Sequence, residues 1–480
     1  MTREKQAAID AIQEKKERIC HVADAIWEYA ELSLQEEKSA AIYCETMEAE
    51  GFHVEKGICN IPTAFAASDG KGRPVIGLLA EYDALSGLSQ KGGSLKQEEL
   101  VPGGCGHGCG HNLLGTGAMA AALGVMHYLE ETNTPGTVVL FGCPGEEGGA
   151  AKSFRAREGL WYKLDAALTW HPKDANEVVT GSSNSCIQTQ YHFTGIAAHA
   201  AGDPDRGRSA LDAVELMNVG VQFLREHMSD RARVHYAITD TGGRSPNVVQ
   251  ANATVLYMVR SNHVSEAVSL QKRVDKIAEG AALMTETTVT KKFIDGLADT
   301  VTNRTLEDVL YQNFQELGVP THTAEELAFA DELAKTYDGA DKAPGIGSDF
   351  SVEYAQQAQE LRKEAGHAMN DFLLPHFQGE AFEPGSTDVG DVSWQCPTAQ
   401  IHVASCPNGT PGHSWQNVSC GVTELGHKAL LHAGKVLCGA AIDLFNDPAL
   451  LEKAKAEFKI RTAEGYTCPI PADAVPTIAD

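Results

Sequence analysis

A chain of 480 residues is too long for one simple core, so the sequence predicts at least two domains. Its apolar share of 43% and charged share of 22% are ordinary for a globular protein, and no run approaches the roughly 20 apolar residues of a membrane span. A formal net charge of −26 opposes nucleic acid and anionic membrane surfaces, and leaves room for a small anionic substrate where metals and an arginine or two supply local positive charge.

The first residues run into an amphipathic pattern and not an apolar signal core, so a cytoplasmic protein is expected. Ala7, Ile9, Ile12, Ile19, Val22, Ala25, Ile26 and Tyr29 recur at a helical period, and a second run spans Leu34 to Met47 before Gly51 stops it. Two helices are therefore predicted over residues 3–50. Strand-like runs follow at Phe65–Ala67 and Val75–Ala80, the second apolar throughout, as a strand buried on both faces should be. A glycine-rich stretch from Gly103 to Gly110 opens a helix of small residues near Leu113, and further buried strands are predicted at Thr137–Gly142 and Ala166–Trp170. This alternation predicts an α/β sheet with its functional groups at the strand ends.

The pattern changes near residue 186. Strands at Gln188–Phe193 and Ala251–Arg260, with helices at Ser209–His227 and Val264–Leu283, predict an inserted domain of about 110 residues. Three segments result: residues 1–185 and 299–480 as two parts of a catalytic domain, and 186–298 as the insertion. Asn303 to Phe377 reads as helical around a loop at Tyr337–Ser351, without a readable motif, and Thr398–Ser405 supplies another strand before closing helices. Twelve cysteines scattered through such a chain read as reduced, mostly buried thiols.

Four short segments place metal-ligating residue types after a buried strand or beside glycines. They are His107-Gly-Cys-Gly-His-Asn112, Pro144-Gly-Glu-Glu-Gly-Gly149, Trp170-His-Pro172 and Gly409-Thr-Pro-Gly-His-Ser-Trp415. Adjacent carboxylates between Pro-Gly and Gly-Gly are costly unless a metal or a proton neutralises them. A donor set mixing carboxylate, imidazole and one thiolate suits a catalytic centre better than a closed structural zinc site.

In this order, and followed by Gly195-Ile-Ala-Ala-His-Ala200, the segments resemble the dinuclear metallo-amidohydrolases, a family that includes aminoacylases, auxin-conjugate hydrolases and glutamate carboxypeptidases. The likeness runs from Glu31–Glu36 to His413, and Gly106–Thr116, Cys143–Gly149, Ala167–Pro172 and Ser386–Trp394 are most similar to the branch acting on p-aminobenzoyl-glutamate. The resemblance implies a mixed-sheet, zinc-peptidase-like catalytic domain with an inserted α+β lid or dimerisation domain of two-layer sandwich type. It implies two divalent ions in each protomer, Mn2+ or Zn2+, bridged by Cys109, with His111 and His171 completing one and Glu147 and His413 the other. It further implies Glu146 as general base, Asp83 orienting a ligand histidine, His199 donating to the oxyanion, and Asn247 and Arg260 holding the substrate carboxylate. In relatives His199 and Asn247 reach the site from a neighbouring protomer, which implies a homodimer or a heteromer with a related but distinct polypeptide. The implied activity is amide hydrolysis of a small anionic acyl-amino acid, p-aminobenzoyl-glutamate foremost. The alternatives are a broader N-acyl-amino-acid or dipeptide hydrolase and a non-catalytic binding component of a heteromer. Two positions depart from the pattern: Glu81 stands where many members have a ligand histidine, and Asn112 where an aspartate usually follows Cys-Gly-His.

Overall fold

Val75–Glu81, Gly136–Cys143, Ala166–Lys173 and Thr398–Ala404 form adjacent parallel strands in the computed structural model, which describes residues 1–477. Strands covered on both faces have no solvent side to fill, so their sequences carry few polar breaks. Across the seven-stranded sheet the order is His53–Lys56, Phe65–Lys71, Gly136–Cys143, Val75–Glu81, Ala166–Lys173, Thr398–Ala404 and Glu177–Val178. The strands at its two margins pair antiparallel, which makes the sheet mixed. The protein is thus α/β.

The chain divides into two compact units. The first holds Met1–Ser182, Val301–Glu383 and Val392–Tyr466; the second holds Ser183–Thr300, Pro384–Asp391 and residues 467–477.

In the first unit the helix His111–Thr132 is buried along nearly its whole length, and its small residues let it lie directly on the sheet. Gly115 marks the closest approach: a Cβ there would sit 2.5 Å from the Glu81 carbonyl oxygen and 2.4 Å from the Tyr43 hydroxyl. Trp170 Nε1 donates to the Leu114 carbonyl at 2.8 Å and ties the same turn to the strand beneath. At the N-terminus the structure has three helices where the sequence predicts two. Arg3–Glu14 and Lys16–Tyr29 part at Lys15 (φ −91°, ψ 9°), a one-residue break that leaves the apolar period unchanged. Glu37–Ala49 starts three residues later than the periodicity suggests, because Leu34 is in the left-handed region at φ +63°. The segment that follows the insertion forms the helices Arg304–Leu317, Ala324–Ala334 and Val352–Ala365. Residues 337–351 contain only a short 3-10 turn, Ile346–Asp349.

The second unit is a four-stranded antiparallel sheet in the order Thr288–Leu297, Ser185–Thr194, Asn252–Ser261 and Arg233–Asp240. Helices Ala210–Leu224 and Val264–Thr285 bury Val214, Met217, Val221, Leu270 and Val274 in one core with Tyr191, Val255 and Tyr257, giving a two-layer α+β arrangement. The sequence predicts two of its four strands. The other two are the sheet's edges and are largely exposed and polar, although Val234, Tyr236 and Ile238 do alternate along Arg233–Asp240.

Gly115→Ala is expected to cost the first unit about 1–3 kcal/mol, because the added methyl meets backbone on one side and a buried tyrosine on the other. Denaturant unfolding followed by a probe in that unit measures this; an unchanged midpoint would contradict the close approach.

Candidate metal centre

The four parallel strands point their carboxyl ends the same way, and the polar residues of the first unit's centre come from those ends and the loops that follow. Glu81 closes one strand and Asp83 lies two residues on; Glu146 and Glu147 follow Cys143; His171 is near the end of its strand; His413 lies in the loop after Ala404. Cys109 lies just ahead of the helix His111–Thr132, and His111 is its first residue. Gly110 between them has φ +75°, and a Cβ there would sit 2.7 Å from Pro172 Cγ, so both conformation and space require glycine. The His413 loop is laced to this turn. His413 (φ +51°) donates its N–H to the Gly108 carbonyl at 3.2 Å, and Asn417 Nδ2 donates to the same oxygen at 2.7 Å.

The donors sort into two triads that share one sulfur: Cys109, His111 and His171, and Cys109, Glu147 and His413. Within each triad the ligand atoms lie within 4.8 Å of one another. Cys109 Sγ is 3.4 Å from His171 Nε2, and His413 Nε2 is 3.4 Å from Glu147 Oε1. Two donors on one tetrahedral zinc-sized ion, at bond lengths of about 2.0–2.3 Å, stand roughly 3.3–3.7 Å apart, so these spacings fit a shared cation. His111 Nε2 and Glu147 Oε1 are buried without a hydrogen bond, the state of a ligand atom that needs a cation.

Electrostatics point the same way. Burial pushes the Cys109 thiol up to about 12, so it ionises at neutral pH only with a cation beside it. Burial opposes charge on His111, yet the neighbouring Cys109 and Asp83 hold its pKa well above the ordinary value, so the pocket demands positive charge that a divalent ion would supply. His171 is held well below its ordinary value, first by burial and then by Lys173, and so stays the neutral imidazole a metal requires. Its Nδ1 is paired with the Pro172 carbonyl at 2.8 Å, which leaves Nε2 facing Cys109.

Asp83 anchors the centre. It lies 2.9 Å from His111 Nδ1 and accepts from the Glu147 N–H at 2.9 Å and from the Ser33 hydroxyl at 2.8 Å. Burial alone would raise its pKa, but these hydrogen bonds outweigh burial and hold the carboxyl at about 2.

Several supporting residues escape the sequence reading. Glu81, which stands out there only as a departure from the family pattern, meets the fully buried Lys152 at 2.8 Å, stands 3.3 Å from His111 Nε2, and groups with His111 and Glu146. A lysine on a short helix, such as Lys152, carries no sign of burial in its sequence. On the strand beside His171, the buried His402 pairs through Nδ1 with Glu177 at 2.9 Å, and its ring centre is 6.3 Å from that of His171. The Asn112 substitution also has a physical reason: Nδ2 donates to the carbonyls of Ala23 and Gly421 at 3.3 and 2.9 Å, where an aspartate would meet two acceptors. His107 is buried against the Ile26 carbonyl, its pKa lowered to about 4 chiefly by burial, and belongs to neither triad.

The remaining candidates belong to the second unit. His199 is exposed, and its Nδ1 accepts from the N–H groups of Ala201 and Gly202 at 3.2 and 3.0 Å. Asn247 is joined to the same turn, its carbonyl taking the Ala200 N–H at 3.0 Å. Arg260 donates to Ser386 Oγ at 2.8 Å. Nearby, burial lifts the Asp295 carboxyl to about 6, with Arg260 opposing and Asp388 adding to the rise.

Residues 77–417 match the model of peptidase family M20/M25/M40. The chain is 44% identical to the B component of p-aminobenzoyl-glutamate hydrolase from Escherichia coli K12, with 98% of each chain covered. It is 26% identical to a mouse Xaa-Arg dipeptidase, over 96% of this chain and 93% of that protein. The fold matches a dinuclear metal-binding M20 peptidase from Bacillus subtilis with a TM-score of 0.54, at 19% identity, over 90% of this chain and 99% of the other. The protein is a metal-dependent amidohydrolase. With more than half its length matched, the chain belongs to peptidase family M20/M25/M40.

Proposed function

We propose that the protein hydrolyses the amide bond of p-aminobenzoyl-glutamate, releasing p-aminobenzoate and glutamate. The observation that carries this reading is the convergence of two donor triads on the Cys109 sulfur. Identity of 44% along both chains to a component of a hydrolase named for that substrate supports the choice of amide.

Cys109, His111 and His171 would hold one divalent ion, and Cys109, Glu147 and His413 a second. Imidazole and thiolate favour zinc, while carboxylate ligation also suits manganese. Such ions, when bound, lower the pKa of an attacking water and polarise the amide carbonyl. Glu146 takes the proton of that water and passes it to the leaving nitrogen. Asp83 fixes the ring of His111. His199 donates to the developing oxyanion, and Asn247 and Arg260 hold the glutamate carboxylate, a task for which the planar guanidinium fork is suited.

The insertion, residues 186–298, is assigned to lid and dimerisation, in a homodimer or with a related polypeptide of the kind that forms the A component of the Escherichia coli hydrolase. Two surfaces of the second unit support an assembly. Arg233–Asp240 is an edge strand that exposes Tyr236 and Ile238, and the helix Ala210–Leu224 exposes Leu216, Val219 and, at 72%, Phe223. Free thiols at all twelve cysteines support a cytoplasmic setting, and no helix among the described residues is long and apolar enough to cross a membrane.

A broader N-acyl-amino-acid or dipeptide hydrolase is the second reading, favoured by the likeness to the Xaa-Arg dipeptidase. A non-catalytic binding component, the reading from another class, gives Glu146 no purpose.

Glu146→Gln is expected to lower kcat by about 10²–10⁴ while elemental analysis finds the metal content unchanged. Full turnover in that variant would remove Glu146 from the reaction. On substrate choice, aminobenzoyl amides lacking the second carboxylate are expected to lose at least about tenfold in kcat/KM, the value of one charge-assisted contact. Equal turnover of both would favour the broader hydrolase.

A further inference from the structure

The loop Pro144–Gly149 has a difficult task. It must hold Glu146 steady, yet half of its six residues are glycine and it lies outside any helix or strand. Within the loop the Gly149 N–H donates to the Gly145 carbonyl at 2.9 Å. A pair of buried carboxyl groups holds it from outside. The N–H just before Glu146, that of Gly145, donates to Glu36 Oε1 at 2.8 Å. The N–H just after it, that of Glu147, donates to Asp83 Oδ2 at 2.9 Å.

Both carboxyl groups are tied in turn to the short segment Ser33–Glu36. Glu36 Oε1 also accepts from the Leu34 N–H at 2.9 Å, and Glu36 Oε2 from the Thr63 hydroxyl at 3.0 Å. The Ser33 hydroxyl reaches Asp83 at 2.8 Å. Leu34 is the floor of the loop: a Cβ on Gly145 would come within 3.0 Å of its side chain, and one on Gly149 within 2.8 Å. Glu36 itself is 0% exposed, so it has no solvent-facing purpose.

We propose that Glu36 is a positioning residue for Glu146, one half of a two-carboxyl clamp whose other half is Asp83. This rests on the reading of Glu146 as the general base. A buried carboxyl accepting two N–H groups and a hydroxyl sets the backbone on one side of Glu146, as Asp83 does on the other, and the base cannot drift from its proton. Burial beside Asp83 pushes the Glu36 carboxyl up to about 8, so its neutral form is close in shape and charge to glutamine. Glutamine can accept from Leu34 and Gly145 through its oxygen and donate to Thr63 through its nitrogen.

The test is steady-state hydrolysis of p-aminobenzoyl-glutamate by the full, metal-loaded chain, with metal content and thermal midpoint measured on each variant. Glu36→Ala is expected to lower kcat about 10- to 100-fold with KM within about threefold and metal content unchanged. Glu36→Gln is expected to restore kcat to within about threefold of the parent, and Thr63→Val, which removes one anchor of Glu36 at constant shape, to lower it severalfold. Should Glu36→Ala fail to fold, Thr63→Val decides. Parental kcat in folded Glu36→Ala or Thr63→Val would overturn the clamp, as would Glu36→Gln being as slow as Glu36→Ala. Glu146→Gln in the same assay separates the two ideas. If it is inactive while Glu36→Ala is normal, only the clamp falls; if it is fully active, the base assignment falls and the clamp with it.

Discussion

One buried carboxylate, Asp83, organises the centre. At 1% exposure it accepts from an imidazole, a backbone N–H and a hydroxyl, and these come from the start of a helix, from the loop after one strand and from the segment after an N-terminal helix. An anion so deeply buried persists only while its hydrogen bonds are complete. That requirement ties the positions of His111 and Glu147 to each other, although 36 residues of chain separate them.

The sheet supplies the rest of the geometry. Parallel neighbours end on the same side, so Glu81 and His171 at strand ends and Glu147 and His413 in the loops that follow strands gather at one edge of the sheet, each within reach of Cys109 or His111. Glycines make the approach tight where it has to be. Gly110 turns the chain between Cys109 and His111 against Pro172, and Gly115 brings the helix onto the backbone of Glu81. Local flexibility of glycine is thereby converted into rigidity, since each residue has only one way to fit. A cluster with several acids, three imidazoles and a thiol that burial keeps protonated is not self-sufficient in charge. Cations would complete it.

Much of this was legible from the residues. Continuous apolar runs marked the parallel strands, because burial on both faces removes the polar alternation, and ligand types after those runs marked the site. The edge strand Thr288–Leu297 was not legible, since threonines and lysines break up its exposed half, and on Arg233–Asp240 the alternation of Val234, Tyr236 and Ile238 is too short to stand out among polar neighbours. Nor was the break at Lys15, where the periodicity on either side stays in phase. The supporting residues were hidden for a different reason. Lys152, Glu177, His402 and Glu36 are ordinary polar residues by sequence, and only the folded chain shows that each is buried and paired with another part of the first unit. Asn112 shows the converse: a departure from a familiar motif that looks like lost charge proves to be two hydrogen bonds to carbonyls.

The central claim is that one sulfur and two donor triads gather a pair of cations. Anomalous diffraction from crystals of the manganese- or zinc-loaded chain, with X-ray absorption at the metal edge, tests it most directly. The account predicts two peaks per chain, both within bonding distance of Cys109 Sγ, one beside His111 and His171 and the other beside Glu147 and His413. A single ion without a sulfur ligand, or ions bound away from Cys109, would contradict it.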